Sequence, residues 1–308
     1  MRTIDQVRFD GRVALVTGAG AGLGRDYALA LAQRGAKVVV NDLGANLDGR
    51  GRSSQSAESV VAEIVAAGGE ALASGANVAD EQEVAQMVAS VRERWGRIDV
   101  LINNAGIIRD RSFQKMTRAE FSSVLDVHLM GSVNTTAAVW SLMRQQGYGR
   151  VVLTTSISGL YGNFGQANYS AAKMALIGLM NTLQIEGRKY GIHVNTISPG
   201  AYTRMADSVI DANQAQLMAQ NMKCQHVTPA VIYLCGEPAP QAAVLLASGR
   251  VVSRVYIAET EGVLMEEEQL TPESIGEHFQ RISDVGSLRL YGSIEERDRI
   301  RFSHLKRL

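Results

Sequence analysis

Short, uninterrupted apolar runs alternate along this chain with segments whose apolar residues recur at helical spacing. Val13-Ala14-Leu15-Val16-Thr17 and Lys37-Val38-Val39-Val40-Asn41 are continuous rather than alternating, the pattern of strands buried on both faces. Further strands are predicted at residues 71–75, 99–102, 150–154, 192–197 and 249–257. Between the early strands, residues 27–33, 59–67 and 81–94 read as helices, stopped by Gly35, Gly68-Gly69 and Gly96. Seven strands alternating with helices predict an α/β fold: a doubly wound, Rossmann-type sheet of seven parallel strands joined by right-handed crossovers.

Two stretches break the alternation. Residues 44–56 are rich in Gly, Ser and charge, and read as a surface loop inserted after the second strand. From about residue 262 the strand pattern ends, and Leu270-Thr271-Pro272-Glu273-Ser274 carries helix-start chemistry, with Thr271 as N-cap and Pro272 at the first helical position. The expected organisation is one domain over residues 1–260, with a C-terminal extension, 261–308, packed on the same domain.

Bulk properties exclude several function classes. The 308 residues include 31 basic and 31 acidic side chains, so no global field recruits nucleic acid or an anionic membrane. Cys224 and Cys235 form neither a ligand cluster nor a disulfide framework, and the histidines lack ligand spacing, so no metal is expected. The first ten residues carry charges without an apolar h-region, and no uncharged run reaches membrane-spanning length. The expected setting is the cytoplasm.

Thr17-Gly18-Ala19-Gly20-Ala21-Gly22-Leu23-Gly24 lies between the first strand and the first helix. Gly18, Gly20, Gly22 and Gly24 permit a tight turn and a close backbone approach to a pyrophosphate, and the helix N-terminus, with Leu23, faces the anion. Asp42 ends the second strand, 24 residues beyond Gly18, where a carboxylate accepts ribose hydroxyls and repels a 2′-phosphate. This favours NAD, although Arg25 and Arg50, near in sequence, are residues of the kind that would favour NADP.

Tyr169-Ser170-Ala171-Ala172-Lys173 sets a phenol and an ammonium on one helix face. A free phenol, with a pKa near ~10, is a poor base at neutral pH, and a cation beside it favours the phenolate. Tyr169 can then exchange a hydroxyl proton as a hydride moves, while Lys173 also reaches a ribose. Ser156, just beyond the fifth strand and 13 residues before Tyr169, can hold the substrate oxygen. Thr155 and Ser158 are neighbouring candidates.

These elements, with Asn103-Asn104-Ala105-Gly106 after the fourth strand and Ser198-Pro199-Gly200 after the sixth, resemble the short-chain dehydrogenase/reductase family over residues 12 to about 205. The resemblance implies that Asn104, Ala105 and Gly106 lie beside the cofactor and that Pro199, Gly200 and Thr203 border the nicotinamide. Longer strings are similar to the (3R)-hydroxyacyl-CoA dehydrogenase units of peroxisomal multifunctional enzymes of type 2. They include Val40-Asn41-Asp42-Leu43-Gly44, Ile108-Arg109-Asp110-Arg111-Ser112-Phe113, the run from Tyr161 to Lys173, and Ile185-Glu186-Gly187-Arg188-Lys189. That similarity implies NAD-dependent oxidation of a (3R)-3-hydroxyacyl-CoA, here by a unit standing alone. The alternatives are a hydroxysteroid or other secondary-alcohol dehydrogenase and, in a different class, a non-catalytic NAD sensor. An acyl-CoA partner and a homodimer or homotetramer follow from the same resemblance.

The chain departs from the family at two points. Where most members carry Asn in the helix after the Asn-Asn-Ala-Gly element, this chain has Val127-His128-Leu129-Met130-Gly131, so His128 is either a proton relay or a hydrogen-bonded core histidine. Where the family has Asp-Val after the third strand, this chain has Asn77-Val78, leaving Asn77 an amide for the adenine. Arg109, Arg111 and Lys115 form either a rim for CoA phosphates or a solvated loop.

Overall fold

The computed structural model describes residues 6–46, 48–202 and 220–305. By its contacts the chain divides into two units, residues 1–254 and 255–308.

In the first unit the order is β1 (Val13–Thr17), α1 (Gly22–Gln33), β2 (Lys37–Asn41), α2 (Gln55–Ala66), β3 (Ala71–Ser74), α3 (Glu81–Trp95) and β4 (Val100–Asn103). There follow α4 (Arg118–Leu125), α5 (Gly131–Gln146), β5 (Gly149–Thr154), α6 (Ile157–Tyr161), α7 (Ala167–Gly187), β6 (Ile192–Gly200), α8 (Thr228–Cys235), β7 (Val244–Ser248) and β8 (Val251–Val255). β1, β2, β4 and β5 match the continuous apolar runs, and all but the first residue of β2 in these four strands are fully buried. Burial on both faces is why their sequences do not alternate.

The sheet order is β3-β2-β1-β4-β5-β6-β7-β8. From β3 to β7 every neighbouring pair is parallel. The chain reverses direction across the sheet between β1 and β4, and a crevice opens there at the carboxyl ends of the strands.

The sheet has eight strands rather than the expected seven. The segment 249–257 is not the seventh strand: β7 runs over Val244–Ser248 and pairs with β6. Gly249 and Arg250, at φ of 51° and 72°, then make a two-residue hairpin turn into β8. That turn chemistry lies in backbone dihedrals, and Arg250 in a left-handed conformation gives no sequence signal. β6 is also longer than predicted, so Pro199 and Gly200 are its last residues, opposite Ala247 and Ser248.

The second unit holds β9 (Ala258–Glu259) antiparallel to β10 (Arg289–Leu290), with α9 (Pro272–Ile282) between them and α10 (Ile294–Leu305) after. The helix start read at Thr271 is present: its Oγ1 accepts the Ser274 N–H at 3.2 Å. No helix among the described residues is long and apolar enough to cross a membrane.

Candidate active site

The glycine-rich turn is held in the crevice by β4. Thr17 Oγ1 accepts the N–H groups of Asn104 at 3.0 Å and Ala105 at 3.1 Å, and Asn104 Nδ2 donates to the carbonyls of Thr17 and Gly18, each at 3.0 Å. Gly18 adopts φ +63°, and a Cβ there would stand 2.8 Å from the Ala105 Cα, so the turn requires glycine. Beyond it, α1 begins at Gly22 with Ala21 as N-cap and no side chain capping its first turn. Its leading N–H groups and positive dipole end therefore face the crevice, the arrangement that binds a phosphate. A Cβ on Gly20 would meet Ser56 Oγ at 2.6 Å and Asp42 Oδ2 at 2.8 Å, so the turn passes directly over the Asp42 carboxylate.

Asp42 is oriented by the backbone. Oδ2 accepts the Gly20 N–H at 2.8 Å and Oδ1 the Gly44 N–H at 2.7 Å, leaving further lone pairs for ribose hydroxyls. The cations read as NADP signals are compensated: Arg25 pairs with Glu63 and Asp26, and Arg50 with Asp48. Asn77 Oδ1 accepts the Ala79 N–H at 3.1 Å, which turns the chain at the end of β3. Val78 is buried against Gly131. These residues fit a nicotinamide dinucleotide, with Asp42, the α1 N-terminus and residues 104–106 around it.

Ser156, Tyr169, Lys173 and His128 come together at the ends of β5, α7 and the helix after β4. Ser156 is the N-cap of α6, its Oγ accepting the Ser158 N–H at 3.2 Å, and it hydrogen-bonds the Tyr169 hydroxyl. Tyr169 and Lys173 share a face of α7, with Lys173 Nζ 5.5 Å from the Tyr169 ring centroid. Nζ donates to the Thr154 carbonyl at 2.6 Å, and the side chain is buried. Thr155 does not join them, because its hydroxyl donates to the Lys173 carbonyl at 2.7 Å. Ser198 and Thr154 each bury a hydroxyl that has no hydrogen-bond partner.

His128 lies in a single π-helical turn, Asp126–Met130, between α4 and α5, a local bulge that turns its ring inward. Its Nε2 lies 2.8 Å from the Ile107 carbonyl and 3.1 Å from the Ile107 N–H, while Nδ1 is buried and unpartnered. Gly106 makes room for the ring, since a Cβ there would collide with His128 Cε1. Burial, then the Lys173 charge, hold the imidazole well below its ordinary pKa, so it is neutral, with only the Ile107 hydrogen bond opposing.

Burial lowers the Lys173 ammonium to about 7. The Tyr169 phenol moves the other way: burial raises it, the Ser156 hydrogen bond lowers it, and the Asp110 carboxylate raises it. Desolvation, which penalises phenolate, is the largest influence on Tyr169 in the chain by itself.

Two contributors escaped the sequence reading. Asp110 Oδ2 accepts Gln166 Nε2 at 2.6 Å, and buried Asn168 donates through Nδ2 to the Arg109 carbonyl at 3.0 Å. Together they tie the segment after β4 to the start of α7. Both stood in the sequence strings, but with no indication that they meet. Of the three cations read as a possible CoA rim, Arg109 donates to the Asp48 carbonyl and Arg111 pairs with Glu120. Thr203, expected beside the nicotinamide, lies outside the described residues.

The chain is similar to known proteins. The short chain dehydrogenase family model matches residues 12–214. Peroxisomal multifunctional enzyme type 2 of Mus musculus is 44% identical over 293 residues, covering 94% of this chain and 39% of that protein. The full-length peroxisomal multifunctional enzyme type 2 of Drosophila melanogaster superposes with a TM-score of 0.81 at 36% identity, over 98% of this chain and 51% of that one. The chain thus spans 39% and 51% of the length of these two multifunctional relatives. A 7α-hydroxysteroid dehydrogenase complexed with NADH and 7-oxo glycochenodeoxycholic acid superposes with a TM-score of 0.73 at 30% identity, over 81% of this chain and 97% of that one.

Proposed function

This chain belongs to the short-chain dehydrogenase family, and from that premise we propose that it oxidises (3R)-3-hydroxyacyl-CoA to 3-oxoacyl-CoA with NAD. Family membership makes it an oxidoreductase of CH–OH donors that uses a nicotinamide dinucleotide. The observation that carries the reaction is the convergence of Ser156, Tyr169 and Lys173 at one open end of the sheet.

When bound, the dinucleotide supplies the hydride acceptor. Ser156 Oγ orients the substrate hydroxyl, and Tyr169 takes its proton as the carbon is oxidised. Lys173, held on the Thr154 carbonyl and titrating at about 7, can pass that proton onward near neutral pH. His128 Nδ1, buried and lacking a partner, is the acceptor we assign to the relay towards solvent.

NAD rather than NADP is supported by Asp42 and by the carboxylate pairing of Arg25 and Arg50. The CoA thioester is supported by the similarity to the multifunctional enzymes over 94% of this chain. The hydroxysteroid reading uses the same catalytic residues and is supported by the likeness to the 7α-hydroxysteroid dehydrogenase. A homodimer or homotetramer remains our reading of α7, which leaves Met174 and Ile185 exposed. A cytoplasmic setting is compatible with the two unpaired cysteines.

The test is NADH formation from (3R)- and (3S)-3-hydroxyacyl-CoA esters beside free hydroxysteroids, with NAD and NADP in parallel. Selective turnover of (3R)-thioesters with NAD is expected, and Tyr169→Phe is expected to abolish it while NADH still binds. Turnover of free alcohols alone would sink the thioester assignment. Full turnover by Tyr169→Phe would sink the assignment of the proton to Tyr169.

A further inference from the structure

We propose that the inserted loop, residues 44–53, is a strap closing over the bound dinucleotide, and that Arg109 is the positioning residue that latches it. The proposal rests on the dinucleotide site described above.

The insertion leaves β2 at Asp42 and ends at Ser56, in the first turn of α2, both beside Gly20. Its neck is closed by the Ser53 N–H donating to the Leu43 carbonyl at 2.9 Å. Within it, the Asn46 N–H donates to the Arg50 carbonyl at 2.7 Å and the Gly49 N–H to the Asn46 carbonyl at 2.9 Å. Residues 44–46 and 48–53 are thus tied to one another by their own hydrogen bonds.

Its attachments fall on different sides of the crevice. At the tip, Arg109 Nη2 donates to the Asp48 carbonyl at 2.7 Å. Beside it, the Gly49 backbone lies over Ile107, so near that an added Cβ would be 3.3 Å from Ile107 Cδ1. On the returning limb, Arg52 forms a two-pronged pair with Glu83, at 3.0 and 2.6 Å, and donates to the Gly75 carbonyl at 3.0 Å. Asp42 follows β2, Gly75 follows β3, and Ile107 and Arg109 follow β4. In the sheet, β1 and its glycine-rich turn stand between β2 and β4. A loop fixed at the ends of β2 and β4 must pass across the carboxyl end of β1, where the diphosphate binds.

A second observation points the same way. Arg109 Nε is buried and has no hydrogen-bond partner. An unpaired guanidinium N–H is costly, and an oxygen of the dinucleotide beneath the strap would satisfy it. The tip also rests on the residue whose backbone holds His128 Nε2, so closure over the cofactor braces the catalytic histidine as well.

A latch of this kind acts on cofactor release more than on chemistry. The experiment follows NADH dissociation by stopped-flow fluorescence in wild type, Arg109→Met, Arg109→Lys and the surface variant Arg52→Gln. It is paired with tryptic cleavage after Arg50 and Arg52, with and without NADH. Losing one charge-assisted hydrogen bond is expected to speed NADH release in Arg109→Met by about tenfold or more. KM for NAD rises with it. Arg109→Lys recovers part of the loss, and Arg52→Gln shows a smaller effect of the same sign. NADH should protect both tryptic sites in wild type and fail to do so in Arg109→Met. Equal release rates in all four proteins, with cleavage indifferent to NADH, would overturn the strap. Failure of the wild type to bind NADH would instead overturn the dinucleotide site on which it rests.

Discussion

The rings of His128 and Tyr169 meet edge to face at 90°, their centroids 5.1 Å apart. The contact places a neutral imidazole against the proposed catalytic phenol, and both nitrogens of that imidazole bear on the site: Nε2 holds the Ile107 backbone and Nδ1 is the unpartnered acceptor. His128→Ala removes the ring and leaves the buried Ile107 carbonyl without the Nε2–H that it faces at 2.8 Å. It should lower stability by about 1–3 kcal/mol and turnover by roughly tenfold or more. Thermal unfolding and kcat against pH check this. Full turnover with an unchanged pH profile would make the histidine structural only.

The same burial makes Lys173 a liability at low pH. Its folded value is about 7, against 10.5 for an ordinary lysine. Between those values the unfolded chain carries a proton that the folded chain has released, so this group makes stability rise with pH across the window. The penalty is complete below about pH 7 and fades towards pH 10.5. Lys173→Met should therefore be inactive, yet more stable than wild type at pH 6 by about 1–3 kcal/mol. The gain should shrink when denaturant unfolding is repeated at pH 9.

Asp110 sets a charge where it opposes ionisation of Tyr169. Asp110→Asn keeps an acceptor for Gln166 and removes the charge. The phenol should then ionise at lower pH, moving the rising limb of kcat/KM for alcohol oxidation to lower pH. An unmoved limb would mean that the Asp110 charge does not reach the phenol.

Asp42→Ala should raise KM for NAD by about 10–100-fold, the loss of two charge-assisted hydrogen bonds to the ribose. KM for NADP should rise much less, because repulsion of the 2′-phosphate is also removed. Parallel titrations with both cofactors measure the ratio, and an unchanged ratio would remove Asp42 from cofactor choice.

Much of this site was legible before folding. Thr17 to Gly24, Asp42, Ser156, Tyr169 and Lys173 are each marked by a local rule: a glycine turn between strand and helix, an acid ending the second strand, a phenol and an amine one helical turn apart. The N-cap at Thr271 was legible for the same reason. The sheet was nearly so, and its error fell at Gly249-Arg250, where a turn depends on dihedrals that an arginine does not advertise.

The sequence by itself determined which segments are strands buried on both faces and which side chains can carry acid–base chemistry, since period and residue type are local properties. Only the tertiary structure decided that Gly106 vacates the space His128 fills, that Asp110 stands near Tyr169, and that Asp48 meets Arg109 across 61 positions of chain. The pKa of Lys173 belongs with these. Its neighbours in sequence do not lower it; the packing of α7 against β5 does, by removing the ammonium from water. Desolvation and long-range contact arise from strand order, and strand order is set by how the whole chain closes on its core.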